Sequence, residues 1–306
     1  MDRQVDLVII GAGPAGMSAA LYASRAGVQT LMIDGTAPGG KLLKTYRVEN
    51  YPGVPDTPGP DLAVTMYQQS VSFGAEYMFG EVETINQDKQ VILKDGSVIT
   101  AKAILIATGA KERHLNIPGE EEALGHGESF CAVCDGAFFR DQEVVVIGGG
   151  DSALEEAQFL TRFASHVTIV IRRDQFRASQ KAVDEVEKND KIRVITRHIP
   201  KKILVENGSV SGIVFENVET GMELKLPCQG VFPFIGHIPE TSFAKDLGIL
   251  DENGYIVTQR NTATSMPGVY AAGDCTKDQF RQIVTAAGAG ALASDAIFQY
   301  LLTLED

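Results

Sequence analysis

Two stretches decide how this chain folds: Val5-Asp6-Leu7-Val8-Ile9-Ile10-Gly11-Ala12-Gly13-Pro14-Ala15-Gly16 and Glu143-Val144-Val145-Val146-Ile147-Gly148-Gly149-Gly150-Asp151-Ser152-Ala153. Each opens with a near-continuous apolar run of strand length, the pattern of a parallel strand covered on both faces. Each run then enters a glycine fingerprint, Gly11/Gly13/Gly16 as G-x-G-x-x-G and Gly148/Gly150/Ala153 as G-x-G-x-x-A. The first glycine permits the tight turn, and the second lets the backbone approach a pyrophosphate. The third small residue lets helix and strand pack closely, and the helix N-terminus offers amides to an anion. One such match is a weak signal. Here the strand before and the helix after are present twice, which points to two dinucleotide sites.

Working outward, a helical stretch from Met17 to Ala26 closes at Gly27, and the strand Thr30-Leu31-Met32-Ile33 ends on Asp34. Asp34 lies 23 residues past Gly11, where an acid binds an adenosine ribose hydroxyl. In the second unit a helix to about Phe163 leads to a strand from Val167 to Ile171. There the equivalent place holds Arg172 and Arg173, 24 and 25 residues past Gly148, with Arg177 nearby. A guanidinium at that place suits a ribose 2′-phosphate; the alternative is a solvated basic patch. The first site therefore reads as an FAD site and the second as an NADPH site, with Gly148, Gly150, Asp151, Ser152 and Ala153 forming the second loop.

Composition narrows the function classes. The 306 residues suit about two domains. Net charge is 27 − 40 = −13, so nucleic acid and anionic membrane surfaces are repelled on average. No apolar run reaches the ~20 residues needed to span a bilayer, and the first residues show no export leader. A cytoplasmic protein with neither nucleic-acid nor membrane partners is the expectation.

Between the fingerprints the chain reads as an irregular segment over 35–60, a helix from about Asp61 to Phe73, an antiparallel meander up to Ile106, and Thr108-Gly109. After the second unit come short strands to Phe232, a return segment with Tyr255-Ile256-Val257 and Ala271-Ala272-Gly273-Asp274, and a helix from about Gln282 to Leu302. The expected architecture is α/β with two dinucleotide-binding, Rossmann-like three-layer domains, the NADPH domain inserted into the FAD domain. Its expected boundaries are 1–113 and 241–306 for the FAD domain and 114–240 for the insert.

Four cysteines remain. Cys131 and Cys134 form a C-x-x-C within Ser129-Phe130-Cys131-Ala132-Val133-Cys134-Asp135-Gly136. Two thiols three residues apart on a turn opening a helix can close a disulfide, and helix-end amides stabilise a thiolate. Phe130, Ala132, Val133, Phe138 and Phe139 are expected to shield one sulfur, and Asp135 could hold the proton a leaving thiolate needs. Asp135 could equally cap a helix. A structural zinc lacks the second ligand pair it requires, and Cys228 and Cys275 read as buried small residues.

The two fingerprints, the intervening Cys131-Ala132-Val133-Cys134-Asp135 and the late Ala271-Ala272-Gly273-Asp274 together resemble the bacterial low-molecular-weight thioredoxin reductases over essentially the whole chain. The resemblance implies FAD contacts at Gly11, Gly13, Pro14, Ala15, Gly16, Asp34, Gly35, Gly40, Lys41, Asn50, Thr108, Gly109, Gly273, Asp274, Arg281, Gln282 and Ile283. It implies NADPH contacts at Arg172, Arg173 and Arg177, a redox pair at Cys131 and Cys134 with Cys134 nearer the flavin, and Asp135 as its acid. Thioredoxin as protein substrate and a homodimer are further implications. Two positions depart from the family pattern: Ile171 stands where a histidine usually precedes the arginine pair, and Lys41 stands where glutamine usually follows Gly39-Gly40.

The dithiol and the arginines fall in one domain and the flavin in the other. Nicotinamide and disulfide must each meet the flavin, so the smaller domain is expected to rotate on connections near 112–118 and 237–243. The competing readings are a reductase or oxidase serving another dithiol partner, and a non-enzymatic redox-sensing flavoprotein.

Overall fold

The computed structural model describes residues 2–45, 47–277 and 280–304. The chain divides into two units, one made of the residues up to Lys111 together with those from Ile238 onward, the other Glu112–His237.

The first unit opens with β1 (Asp2–Ile10), α1 (Pro14–Arg25) and β2 (Thr30–Asp34). After α2 (Gly59–Ser72) come β3 (Glu76–Phe79), β4 (Val82–Ile85), β5 (Gln90–Leu93), β6 (Val98–Ile106) and β7 (Ala110–Glu112). The sheet order is β3-β2-β1-β6-β5-β4. β3, β2, β1 and β6 are parallel neighbours, while β5 lies antiparallel to β6 and to β4. The apolar run of β1 is explained by this central place: Leu7, Val8 and Ile9 are fully buried between two neighbouring strands and two layers. The sequence-derived meander is present, and β6 is longer than its hairpin requires.

That extra length matters. β5 pairs only with Val98–Thr100, so the later half of β6 is open to another strand. The second unit is inserted here, with α3 (Glu120–Ala123), α4 (Ala132–Asp135), β8 (Glu143–Ile147), α5 (Asp151–Leu160), β9 (His166–Val170) and α6 (Gln180–Glu187). It continues with β10 (Ile192–Ile195), β11 (His198–Glu206), β12 (Ser209–Asn217), β13 (Glu223–Pro227) and β14 (Gly230–Pro233), and β15 (His237–Pro239) marks the return to the first unit. Its parallel sheet runs β10-β9-β8-β14, beside an antiparallel sheet β11-β12-β13. β7 and β15, at the two chain crossings, form a two-stranded ribbon.

On return, β16 (Val269–Ala271) docks parallel on Ile104–Ile106 of β6. Then α7 (Ile283–Leu302) lies against α1. The approach of these helices is so close that a Cβ on Gly290 would stand 2.1 Å from the Ala15 carbonyl oxygen. Glycine inside a helix costs about 1 kcal/mol relative to alanine; here the helix–helix contact requires it.

Several sequence-derived bounds shift. α1 begins at Pro14, because proline suits the first helical turn, where its missing N–H leaves nothing unpaired. Within the return segment, Ile256 makes isolated bridges to Leu250 and Thr276. No helix among the described residues is long and apolar enough to cross a membrane.

Candidate functional site

In the first unit the fingerprint is shaped by contacts that exclude side chains. Gly11 has φ +103°, and a Cβ there would stand 2.4 Å from the Ala107 carbonyl oxygen; one on Gly16 would stand 1.9 Å from the Gly11 oxygen. Gly13 differs, since a Cβ there would meet nothing within 4 Å. Packing does not explain that glycine, whereas close approach of a ligand does. Gly109 (φ +73°) is open in the same way.

Around the start of α1, where Pro14 and Ala15 lie, the fold gathers segments distant in sequence. The Gly39 amide donates to the Ala12 carbonyl at 2.8 Å, which brings Gly40 to within van der Waals reach of Gly13. Lys41 pairs with Asp274 across 3.4 Å. Asn50 donates from Nδ2 to Oε1 of Gln282 at 3.0 Å, just before Ile283 opens α7. Gly273 (φ +81°) abuts Ala15, where a Cβ would approach the alanine methyl to 3.0 Å. Thr108 and Gly109 follow β6, and Gly35 follows Asp34.

Asp34 is held by three donors: the Ala12 amide on Oδ2, and the Thr36 amide and hydroxyl on Oδ1, all at 2.8 Å. An ionised carboxylate offers about four acceptor positions, so one remains for a hydroxyl. Arg281 lies over the Tyr255 ring at 5.2 Å, and its Nε is buried without a hydrogen-bond partner. An open cradle at Gly13, a spare carboxylate lone pair and an unpartnered buried donor together fit a flavin dinucleotide.

The second fingerprint repeats the logic. Gly148 (φ +146°) abuts the Phe234 carbonyl, whereas a Cβ on Gly150 would meet open space. Asp151 accepts from the Ser179 amide at 2.8 Å, and that bond holds its carboxyl below the ordinary range. The Arg177 amide donates to the Gly149 carbonyl at 2.7 Å, which ties the arginine loop to the fingerprint loop. Arg172, Arg173, Arg177 and Ser152 are exposed. Ile171 is buried, and its Cγ2 would lie 3.0 Å from a Cβ on Gly149. The departure at this position is thus a packing residue under the loop. The donor set of this loop, an open helix start and three exposed guanidinium groups, fits a phosphorylated nicotinamide dinucleotide.

Cys131 and Cys134 are joined in a disulfide. Cys131 is the N-cap of α4, and its Sγ accepts from the Cys134 amide at 3.1 Å. Cys134 is exposed and Cys131 half-buried. Asp135 does not cap a helix. Its Oδ2 accepts from the Ser129 hydroxyl at 2.6 Å, and burial pushes its carboxyl up from the ordinary value. A carboxyl that keeps its proton more readily is suited to giving it to a thiolate. Of the apolar flank, Phe139 enters the core, meeting Phe232 edge-on at 5.1 Å, while Phe138 is exposed.

Sequence reading overlooked two buried acids, a half-buried one and a serine in this unit. Ser129 both accepts from the Cys131 amide at 3.1 Å and donates to Asp135; its place two residues before the motif was its only signal. Glu120 accepts from the amides of Leu115 and Asn116 at 2.7 and 2.6 Å. Glu128 is buried with neither carboxylate oxygen partnered, and burial with the nearby Glu120 raises it to about 8. Glu156, on α5, is half-buried, and burial raises its carboxyl from the ordinary value. None of the acids stands in a local motif. Cys228 and Cys275 are fully buried, which lifts their thiols to about 12 and about 11. They are unreactive core residues.

The fold and site together define a class: the chain belongs to the pyridine nucleotide-disulphide oxidoreductase family, whose model matches residues 5–290. Within that family it is similar to several thioredoxin reductases. It is 46% identical, over 100% of this chain and 96% of the relative, to a thioredoxin reductase of Listeria innocua. It is 45% identical over the same shares to one of Listeria monocytogenes. The crystal structure of thioredoxin reductase from Streptococcus pyogenes superposes with a TM-score of 0.91 at 45% identity, covering 99% of this chain and 100% of that one. The chain is accordingly an α/β disulfide oxidoreductase.

Proposed function

We propose that the chain reduces the disulfide of thioredoxin, with NADPH as electron source. The observation that carries the reading is the Cys131–Cys134 disulfide beside the hydrogen-bonded acid Asp135, in a family whose members at this identity are thioredoxin reductases. FAD belongs to the first cleft, with the residues from Gly11 to Gly16, Asp34, Gly35, Gly40, Lys41, Asn50, Thr108, Gly109, Gly273, Asp274 and Arg281–Ile283. NADPH belongs to the second, held by the Gly148–Ala153 loop and the three arginines.

Bound FAD would supply two-electron transfer from the nicotinamide to the disulfide. The chain's residues perform the rest. Once the pair is reduced, one thiolate attacks the thioredoxin disulfide and forms a mixed disulfide. The second thiolate then displaces thioredoxin and restores the Cys131–Cys134 bond. Asp135, oriented by Ser129, holds a proton for the departing thiolate. Overall, NADPH, a proton and the thioredoxin disulfide give NADP⁺ and two thioredoxin thiols.

The arginines and the dithiol lie in one unit and the first fingerprint in the other. Alternation between nicotinamide and dithiol at one flavin is supported by that division, with β7 and β15 as the turning points. The resemblance further supports a homodimer, and the two reduced buried cysteines suit the cytoplasm.

The test is NADPH oxidation dependent on thioredoxin, with NADH in parallel and Cys134→Ser as control. Rapid turnover lost in the variant supports the reading. Flavin reduction without electron delivery to thioredoxin would transfer the function to another disulfide or to oxygen.

A further inference from the structure

The loop that carries the three exposed arginines is anchored at both ends. At Arg177 it is tied to the fingerprint loop through the bond to the Gly149 carbonyl. At its start it is stitched to the residues that lead into β11. The His198 amide donates to the Ile171 carbonyl at 3.1 Å, and the Arg197 amide donates to the Arg173 carbonyl at 3.0 Å. Arg197 thus holds the backbone of one of the two arginines assigned to the 2′-phosphate.

Two features set Arg197 apart. Its φ is +60°, a left-handed conformation that a residue with a Cβ keeps only where its surroundings hold it. Its guanidinium also stands between acids from two separate segments. Nη1 donates to both carboxylate oxygens of Glu219, at 2.9 and 2.8 Å, and Nη2 lies 4.0 Å from Oδ2 of Asp174. Glu219 belongs to the turn between β12 and β13. That turn meets Arg197 a second time, where the Val218 amide donates to the Arg197 carbonyl at 2.9 Å, and Asn217 braces it by accepting the Glu219 amide at 3.0 Å. An isolated surface ion pair fixes little. Here two acids share one guanidinium, and the backbone beneath it is held on both sides.

We propose that Arg197 is a positioning residue for the 2′-phosphate of the dinucleotide: its amide fixes Arg173, and its guanidinium, backed by Glu219, offsets the charge of Asp174. Asp174 follows Arg172 and Arg173 directly and is exposed, as they are. A carboxylate on a loop that grips a phosphate repels it, and the repulsion acts within a screening length of about 8–10 Å. Arg197 answers that charge without occupying the phosphate position. The two acids hold its guanidinium back, and Arg172, Arg173 and Arg177 remain the contacting groups. The adenosine and nicotinamide parts of the ligand carry no charge at that position, so the contribution is confined to the phosphorylated form.

The inference rests on the NADPH reading of the second cleft. The experiment titrates the flavin-bound full-length protein calorimetrically with adenosine 2′,5′-bisphosphate and, in parallel, with adenosine 5′-monophosphate, which lacks the 2′-phosphate. In Arg197→Gln the Kd of the bisphosphate should rise about fivefold and that of the monophosphate less than about twofold, the scale of one exposed charge pair. Arg197→Lys, which keeps the charge, should lie nearer the wild type than glutamine does. Adding Asp174→Asn to Arg197→Gln removes the charge left unbalanced and should bring the bisphosphate back to within about twofold of wild type. If the glutamine variant folds poorly, Arg197→Gly, which adopts the left-handed backbone without strain, must shift the affinity in the same direction. A bisphosphate Kd within about twofold of wild type, or equal losses for both ligands, overturns the proposal. So does a double variant no tighter than Arg197→Gln. A wild type that binds both ligands equally overturns the NADPH reading, and the proposal with it.

Discussion

The Ser129 hydroxyl donates to Oδ2 of Asp135 at 2.6 Å while its oxygen accepts the Cys131 amide at 3.1 Å. One side chain thereby ties the acid to the backbone of Cys131. Replacing Asp135 by asparagine keeps the Ser129 bond and removes the proton. Thioredoxin-dependent turnover should fall by roughly 10²-fold, the scale of general acid catalysis. Flavin reduction by NADPH, followed by stopped flow, should be unchanged. A variant that turns over at the wild-type rate would remove Asp135 from the mechanism.

The exposed arginines predict a cofactor preference that can be split by kinetics. A guanidinium–phosphate contact is worth about 1.5–3 kcal/mol, so Arg172→Ala or Arg173→Ala should raise the KM for NADPH by roughly 10- to 100-fold. The KM for NADH, which lacks the 2′-phosphate, should move by less than about threefold. Parallel losses for both cofactors would return these residues to a solvated basic patch.

Lys41 brings a cation to Asp274 at 3.4 Å, between two segments assigned to the flavin. A nearby positive charge favours reduced, anionic flavin over the oxidised form. Lys41→Gln should therefore lower the flavin midpoint potential by on the order of 10–30 mV, about two- to tenfold in the equilibrium. Spectroelectrochemical titration reads this directly, and an unchanged or raised potential counts against it.

Glu128 gives stability a pH slope. Its carboxyl is raised to about 8 in the folded chain, against about 4.3 when unfolded. The folded state therefore holds a proton that the unfolded state has released between those values. Stability is full below the lower value and declines as pH rises through about 8. Glu128→Gln should flatten that decline and raise Tm above neutral pH. Thermal melts from pH 5 to 9 would show it; a variant with the wild-type slope would place the cause elsewhere.

Much of the architecture was legible because its signals are local. A buried parallel strand must be apolar on both faces, and a pyrophosphate-binding turn must be glycine-rich, so β1 with Gly11–Gly16 and β8 with Gly148–Ala153 announce themselves. Cys131-x-x-Cys134 did the same for the dithiol, since only a turn or helix start brings thiols at that spacing together. Phe138 and Phe139 show the limit of such reasoning: the two rings are adjacent in sequence, yet Phe139 packs inward against Phe232 while Phe138 stays exposed, a difference that no local pattern announces.

By itself the sequence determined the two dinucleotide units, their order and the chemistry of the redox pair, each written in contiguous residues. Tertiary structure alone decided which distant groups meet. Asn50 meets Gln282 across 232 positions, and Lys41 meets Asp274. A carboxylate or an ammonium has no local pattern that names its partner. Its charge acts over a few ångströms of space, and that proximity exists only once the sheets and helices have closed around it.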